Sequence, residues 1–416
     1  MSTMSVKDVF VVTDNIFSPL GKTTAENFTQ LKNNISGVKQ HDDKALSPTP
    51  FFASLFDKDE IFIDTTNHTR HAEFISAPHR TDSQHDDHLA DGVLKQVQHD
   101  IQLSYTKFEQ LLIASITDAL QNTGINSKDK KTILIISSTK GNISLLETEA
   151  NSEALQKRVA MSTSAKLVAA HFGFQNQPLI ISNACISGVM AIITGMRLLR
   201  AGQYENAVIC GADVISKFIV SGFQSFQALS DTMCKPFDKA RTGLNLGEGA
   251  ATVVLSTNKQ FEGNIKVKGG AVSNDANHIS GPSRTGEELA YAIKQAIKDA
   301  DIATSDIDFI SAHGTATVYN DEMEANAIGL AGLQTAPLNS LKGYYGHTLG
   351  AAGLIESVVS IQSLKEDLII STPGFKELGV TSPVNVCVSP MHINADNFLK
   401  TASGFGGCNA AVVIGK

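Results

Sequence analysis

The sequence predicts an α/β protein of two similar layered halves, and three observations carry that expectation. Runs such as Thr132-Ile133-Leu134-Ile135-Ile136-Ser137 and Ala250-Ala251-Thr252-Val253-Val254-Leu255 are short, rich in β-branched residues and apolar on both faces, as covered strands with much parallel pairing are. Longer segments with apolar residues at helical spacing separate them. The order of elements in residues 1–257 is similar to that in 258–416, although no residue-level repeat is visible.

Taken in order, Val9-Phe10-Val11-Val12 is a first strand, Ser18-Pro19-Leu20-Gly21 a turn, and Thr23 to Leu31 an amphipathic helix. The pattern then degrades to about residue 100. Six of the twelve histidines (His68, His71, His79, His85, His88 and His99) crowd into 68–99 at spacings that match no established ligand set, so a solvated insertion is expected there and no metal. Order returns with a helix over Ser104 to Asn122, its apolar face Phe108, Leu111, Leu112, Ile116 and Leu120, stopped by Gly124. The strand 132–137, a loop Thr139-Lys140-Gly141-Asn142 and one long helix from Ala150 to His171 follow.

Pro178-Leu179-Ile180-Ile181 reads as a short buried strand that halts before Cys185. Val189, Ile192, Ile193, Met196, Leu198 and Leu199 then recur as in a buried helix ending near Gly202. A strand at 207–212, a helix over 218–228 and the strand 250–255 complete the first half. The second half reads as strand 265–269, helix 287–299, strand 307–311, helix 322–330, a short strand at 338–340, helix 350–364 and terminal strands through 410–414.

At 416 residues the chain is long enough for a large core, and 42% hydrophobic with 18% charged residues describes an ordinary globular protein. A net charge of −8 argues against a nucleic-acid surface. No apolar run approaches the ~20 residues that cross a bilayer, and no secretion signal is read at the N-terminus. Five scattered cysteines, an odd number without metal-like pairing, fit a reducing compartment, so the cytoplasm is expected.

Chemistry concentrates at Cys185, where a strand gives way to a helix whose unpaired N–H groups favour a thiolate. Lowering a thiol pKa from ~8.5 to ~7 takes about 2 kcal/mol, and a helix terminus typically supplies roughly 0.3–1 kcal/mol, so partners are needed. Two histidines qualify by position. His313 follows a buried strand in Ser311-Ala312-His313-Gly314-Thr315-Ala316-Thr317, and His347 precedes a small-residue helix in Gly346-His347-Thr348-Leu349-Gly350-Ala351-Ala352-Gly353. Carboxyl ends of strands are where open α/β sheets bind ligands. Gly350 and Gly353 let that helix pack closely enough for its start to face Cys185. Gly404-Phe405-Gly406-Gly407 permits a strained turn with backbone N–H groups free for an oxyanion.

These motifs, in this order, resemble the elongating Cys-His-His β-ketoacyl-acyl-carrier-protein synthases; Pro236-Phe237-Asp238-Lys239 with Arg241, Gly243 and Gly247-Glu248-Gly249-Ala250 adds a further match. The resemblance runs from about residue 104 to 416, and less clearly over the first forty. It implies a thiolase-like fold, a layered α-β-α-β-α sandwich, with Cys185 in the first half and both histidines in the second. It implies that Cys185 accepts an acyl chain from acyl carrier protein. His313 and His347 would stabilise the enolate formed when malonyl-acyl-carrier protein loses carbon dioxide. The Cys185 and Phe405 N–H groups would make the oxyanion hole, the Phe405 ring gating the acyl pocket. Thr315 and Thr317 match contacts to the phosphopantetheine arm; Lys342, Glu324 and Glu356 match a charged cluster that positions and tunes the histidines. No metal or redox cofactor is implied, and the assembly is a homodimer or a heterodimer with a related ketosynthase.

The loop 139–142 and Arg241-Thr242-Gly243 depart from the family pattern and bear on substrate range, from fatty acids to polyketide or aryl-polyene-like chains. Two other readings stay open: a non-catalytic chain-length subunit, against which the retained Cys185 with both histidines speaks, and a thioester hydrolase or thiolase using the same nucleophile, of which thiolases normally carry a second reactive cysteine in the C-terminal half.

Overall fold

A computed structural model of the chain describes residues 7–57, 105–121, 123–275 and 283–416. The His-rich stretch 68–99 lies outside the described residues. The first half runs β1 (Phe10–Phe17), α1 (Thr24–Lys32), α2 (Lys107–Leu120), β2 (Thr132–Ser137), α3 (Met161–Phe172), β3 (Leu179–Ile181), α4 (Ser187–Arg200), β4 (Asn206–Asp213), α5 (Lys217–Ser225) and β5 (Gly249–Ser256). The second runs β6 (Lys266–Asn274), α6 (Glu287–Asp299), β7 (Phe309–Ser311), α7 (Val318–Leu330), β8 (Pro337–Asn339), α8 (Ala352–Glu366), β9 (Asn385–Val386), β10 (Asn397–Gly404) and β11 (Cys408–Gly415).

These strands form one sheet in the order β9-β8-β7-β10-β11-β6-β1-β5-β4-β2-β3. Leaving aside the edge strand β9, the order β3-β2-β4-β5-β1 of the first half recurs as β8-β7-β10-β11-β6 in the second. In each half the inner strand, β2 or β7, runs parallel to both neighbours, and antiparallel strands lead to the seam. There β1 and β6 share the pair Phe10–Lys266. The repeated order is the twofold similarity read from the sequence, and with its helices the sheet makes the layered, thiolase-like architecture expected.

Helices α4 and α8 occupy the middle of the molecule and are apolar nearly all round, as central helices must be. Ile192, Ile193, Met196 and Leu199 of α4 share a core with Leu354, Ile355, Val358 and Ile361 of α8. Glycines bring their starts into backbone contact: a Cβ on Gly188 would stand 2.7 Å from Leu354 N, and one on Gly353 would stand 2.8 Å from Val189 N. The loops preceding the helices, one with Cys185 and one with His347, are therefore held together.

Three local expectations are corrected. The strand before Cys185 is not buried: β3 is the outermost strand of the sheet, with Leu179 exposed and Ile180 and Ile181 half-buried. The helix expected over 150–171 is two, Glu153–Val159 and α3, because Ala160 takes extended dihedrals (φ −63°, ψ 124°) between them. The strand expected over 265–269 continues to Asn274, where it pairs with β11 as far as Cys408. Among the described residues no helix is long and apolar enough to cross a membrane.

Candidate active site

Cys185 sits in the turn between β3 and α4, and Ala184 before it has φ 45°, a left-handed conformation that a residue with a Cβ adopts only when its surroundings enforce it. Ser187 anchors the turn by donating to Ala184 O (2.6 Å) and accepting from Asn183 N (2.8 Å). The sulfur points at His347, with Sγ and Nε2 3.0 Å apart. The His313 and His347 rings meet edge to face at 5.3 Å, and the ligand-type atoms of the three residues all lie within 4.8 Å of one another. The three side chains singled out in the sequence converge.

The tautomer of His347 follows from its neighbours. Leu349, itself at φ 50°, donates its N–H to Nδ1 (3.3 Å), which leaves the ring proton on Nε2. His347 is therefore a donor toward the sulfur and the space beside it, not a base. Burial, with the Lys342 charge next, pushes both imidazoles well below the usual histidine range, so both are neutral at working pH. Three such side chains could share a metal by spacing. A protonated Nε2 and the nearby Lys342 and Lys400 ammonium groups, whose charges both act on the rings, suit a negative oxygen better than a cation.

The thiolate expectation is corrected. Burial pushes the Cys185 thiol up to about 12, Cys408 adds to the rise, and Lys342 is the largest influence opposing it. Desolvation outweighs the helix terminus at this half-buried residue, so the resting nucleophile is a thiol.

Behind the histidines lies the charged cluster. Glu324 of α7 accepts the His313 N–H (2.8 Å), the Gly314 N–H (2.7 Å) and the Thr401 hydroxyl (2.6 Å), which fixes the loop leaving β7. Lys342 Nζ donates to His313 O (3.1 Å) and pairs with Glu356 of α8. Thr315 and Thr317 meet through their hydroxyls (2.9 Å), with Thr315 buried and Thr317 half-exposed. Phe405 is 42% exposed and lies against Phe223 and Phe226, with ring centroids 5.8 and 5.3 Å away. Its neighbour Gly404 is so close that a Cβ there would be 3.0 Å from Cys185 N, which brings the turn with Phe405 against the turn with Cys185.

Among the buried ionisable groups that sequence reasoning missed, two lie beside these loops. Asp213, at the end of β4, accepts from the Ser138 hydroxyl (2.7 Å), Thr139 N (3.1 Å) and Gly350 N (2.6 Å), tying the 139–142 loop to the turn after His347. Lys400 sits fully buried in β10, and a lone lysine between Leu399 and Thr401 in an apolar strand was a signal.

Neutral buried histidines make stability depend on acid. Below pH 6.5 the unfolded chain gains protons at these positions and the folded chain does not, so stability falls as pH falls, by up to about 1.4 kcal/mol per pH unit for each histidine. Melting temperatures between pH 7 and 5 should drop, with a shallower slope in His313→Asn; a flat profile would contradict neutral burial.

Models of the β-ketoacyl synthase N-terminal and C-terminal domains match residues 6–260 and 265–376. The 3-oxoacyl-[acyl-carrier-protein] synthase 2 of Vibrio cholerae is 28% identical over 338 residues, 74% of this chain and 82% of that one. The solved ishigamide ketosynthase/chain length factor superposes with a TM-score of 0.82 at 23% identity, covering 99% of this chain and 100% of that one. A type II polyketide synthase acyl-carrier protein in complex with its ketosynthase gives 0.79 at 20% identity, covering 99% and 100%.

Proposed function

Because the chain belongs to the β-ketoacyl synthase family, we propose that it joins an acyl group held on Cys185 to a malonyl thioester, releasing carbon dioxide and adding two carbons. In the first half-reaction Cys185 Sγ attacks the thioester of an acyl carrier protein. The acyl group moves to Sγ, and the thiol proton ends on the departing phosphopantetheine sulfur. In the second, malonyl carrier protein loses carbon dioxide and its thioester oxygen takes up the electron pair as an enolate. The enolate carbon attacks the acyl carbonyl and expels the Cys185 sulfur, which regains a proton.

The observation that carries this reading is the His347 ring, its Nε2–H fixed by Leu349 and aimed beside the sulfur, with His313 across from it. Two neutral N–H donors suit an oxygen that gains charge in the transition state. The Cys185 and Phe405 N–H groups are the proposed hole for the acyl carbonyl, and the exposed Phe405 ring the gate over the chain. Thr315 and Thr317, whose hydroxyls meet, are the proposed contacts for the amides of the phosphopantetheine arm. That arm belongs to the substrate, so the chain supplies side chains and backbone alone. The similarity to a ketosynthase with its carrier and to a ketosynthase with its chain length factor supports an acyl carrier protein and a second ketosynthase-type subunit, the same or related, as partners. Five free cysteines support a cytoplasmic setting.

Purified protein mixed with acyl- and malonyl-carrier proteins should release carbon dioxide and form the 3-oxoacyl product. Cys185→Ala should form no acyl-enzyme by mass spectrometry. Undiminished condensation by that variant would sink the assignment, and a wild-type chain that never becomes acylated would leave the chain-length subunit as the better reading.

A further inference from the structure

Lys400 stands out because a fully buried lysine is costly unless something specific requires it. Its Nζ donates to Ser311 O (3.1 Å) and Ala312 O (3.1 Å) and pairs with Glu356 Oε2 (2.6 Å). Lys342 Nζ, also fully buried, donates to the next carbonyl, His313 O, and pairs with Glu356 Oε1. Two ammonium groups thus hold three successive carbonyls at the end of β7 and share the two oxygens of one carboxylate on α8. One of those elements delivers His313, and the other begins just after His347.

Accepting the condensing reading, we propose that Lys400 is a positioning residue of the decarboxylation half-reaction: with Lys342 and Glu356 it locks the strand end beneath His313 to the helix that follows His347. It also places a second positive charge behind both imidazoles. The charge balance fits this role. Lys342 and Lys400 face Glu356 and Glu324, so the cluster is close to neutral, while its two cations lie toward the rings and disfavour their protonation, the Lys342 influence being the larger. Cys185 has no bond to the clamp, so the acyl-transfer half-reaction does not depend on it in the same way.

The test separates the half-reactions in Lys400→Met and in the charge-balanced Lys400→Met/Glu356→Gln, which serves if the single variant does not fold. Acylation of Cys185 should stay within about twofold of wild type. Release of carbon dioxide from malonyl carrier protein should fall about tenfold or more in kcat, with KM little changed, since small displacements of a catalytic group are that costly. Independently of activity, the ring C–H signals of His313 and His347 should stay unprotonated in wild type as pH falls to 5, and in Lys400→Met, where one of the positive charges behind the rings is lost, protonation should begin at a higher pH than in wild type. Equal loss of both half-reactions, or loss of neither, or imidazole signals that match wild type, overturns the proposal. The condensing reading fails by a different result, a wild-type chain that cannot condense while its imidazoles stay unprotonated as described.

Discussion

Replacing His347 with leucine is expected to slow decarboxylation of malonyl carrier protein by about 10²–10³-fold, the usual loss when one donor to a developing oxyanion is removed, while Cys185 still takes up its acyl group. The asymmetry follows from the ring's protonation. Nδ1 is occupied by the Leu349 N–H, so Nε2 bears the proton and has no lone pair with which to act as a base. A glutamine in its place carries an amide N–H of similar reach and should recover part of the lost rate. If His347 served as a general base, glutamine would be no better than leucine. Single-turnover measurement of carbon dioxide release from the two variants therefore decides between donor and base, and equal rates would remove the donor role.

Cys185, His313 and His347 were legible because each lies where a strand or loop hands over to a helix and glycines crowd the approach, a pattern that backbone sterics impose on sequence. The twofold architecture was legible for a similar reason, since covered strands must be apolar on both faces. Other features depend on what comes near in space. The exposure of Leu179 follows from β3 being outermost, which its apolar residues do not reveal. The left-handed turn at Ala184 is enforced by packing, and alanine gives no hint of it. The thiol's high pKa reflects desolvation by residues that come near only in the folded chain, against which the local helix start is a small influence. Lys400 and Asp213 gain their meaning from partners about 90 and 140 positions away, Ser311 and Gly350.

Gly188→Ala tests whether the contact between α4 and α8 sets the catalytic geometry. On helix propensity alone alanine should stabilise by about 1 kcal/mol over glycine. The new Cβ would instead meet backbone, 2.7 Å from Leu354 N and 3.0 Å from Gly350 O, where no flexible side chain can give way. Overpacking of this kind costs about 1–3 kcal/mol, so a net loss of stability is expected despite the better helix former. The activity loss should be larger than stability suggests. Parting the two helices withdraws the turn with Cys185 from the loop with His347, and a shift approaching 1 Å can cost about 10²-fold in rate. Gly222→Ala in α5 is the control, because a Cβ there meets nothing within 4 Å and should bring the propensity gain with no kinetic penalty. Denaturant unfolding and condensation rates measured on both variants give the answer. If Gly188→Ala behaves like Gly222→Ala, the close helix contact does not hold the sulfur against the imidazole.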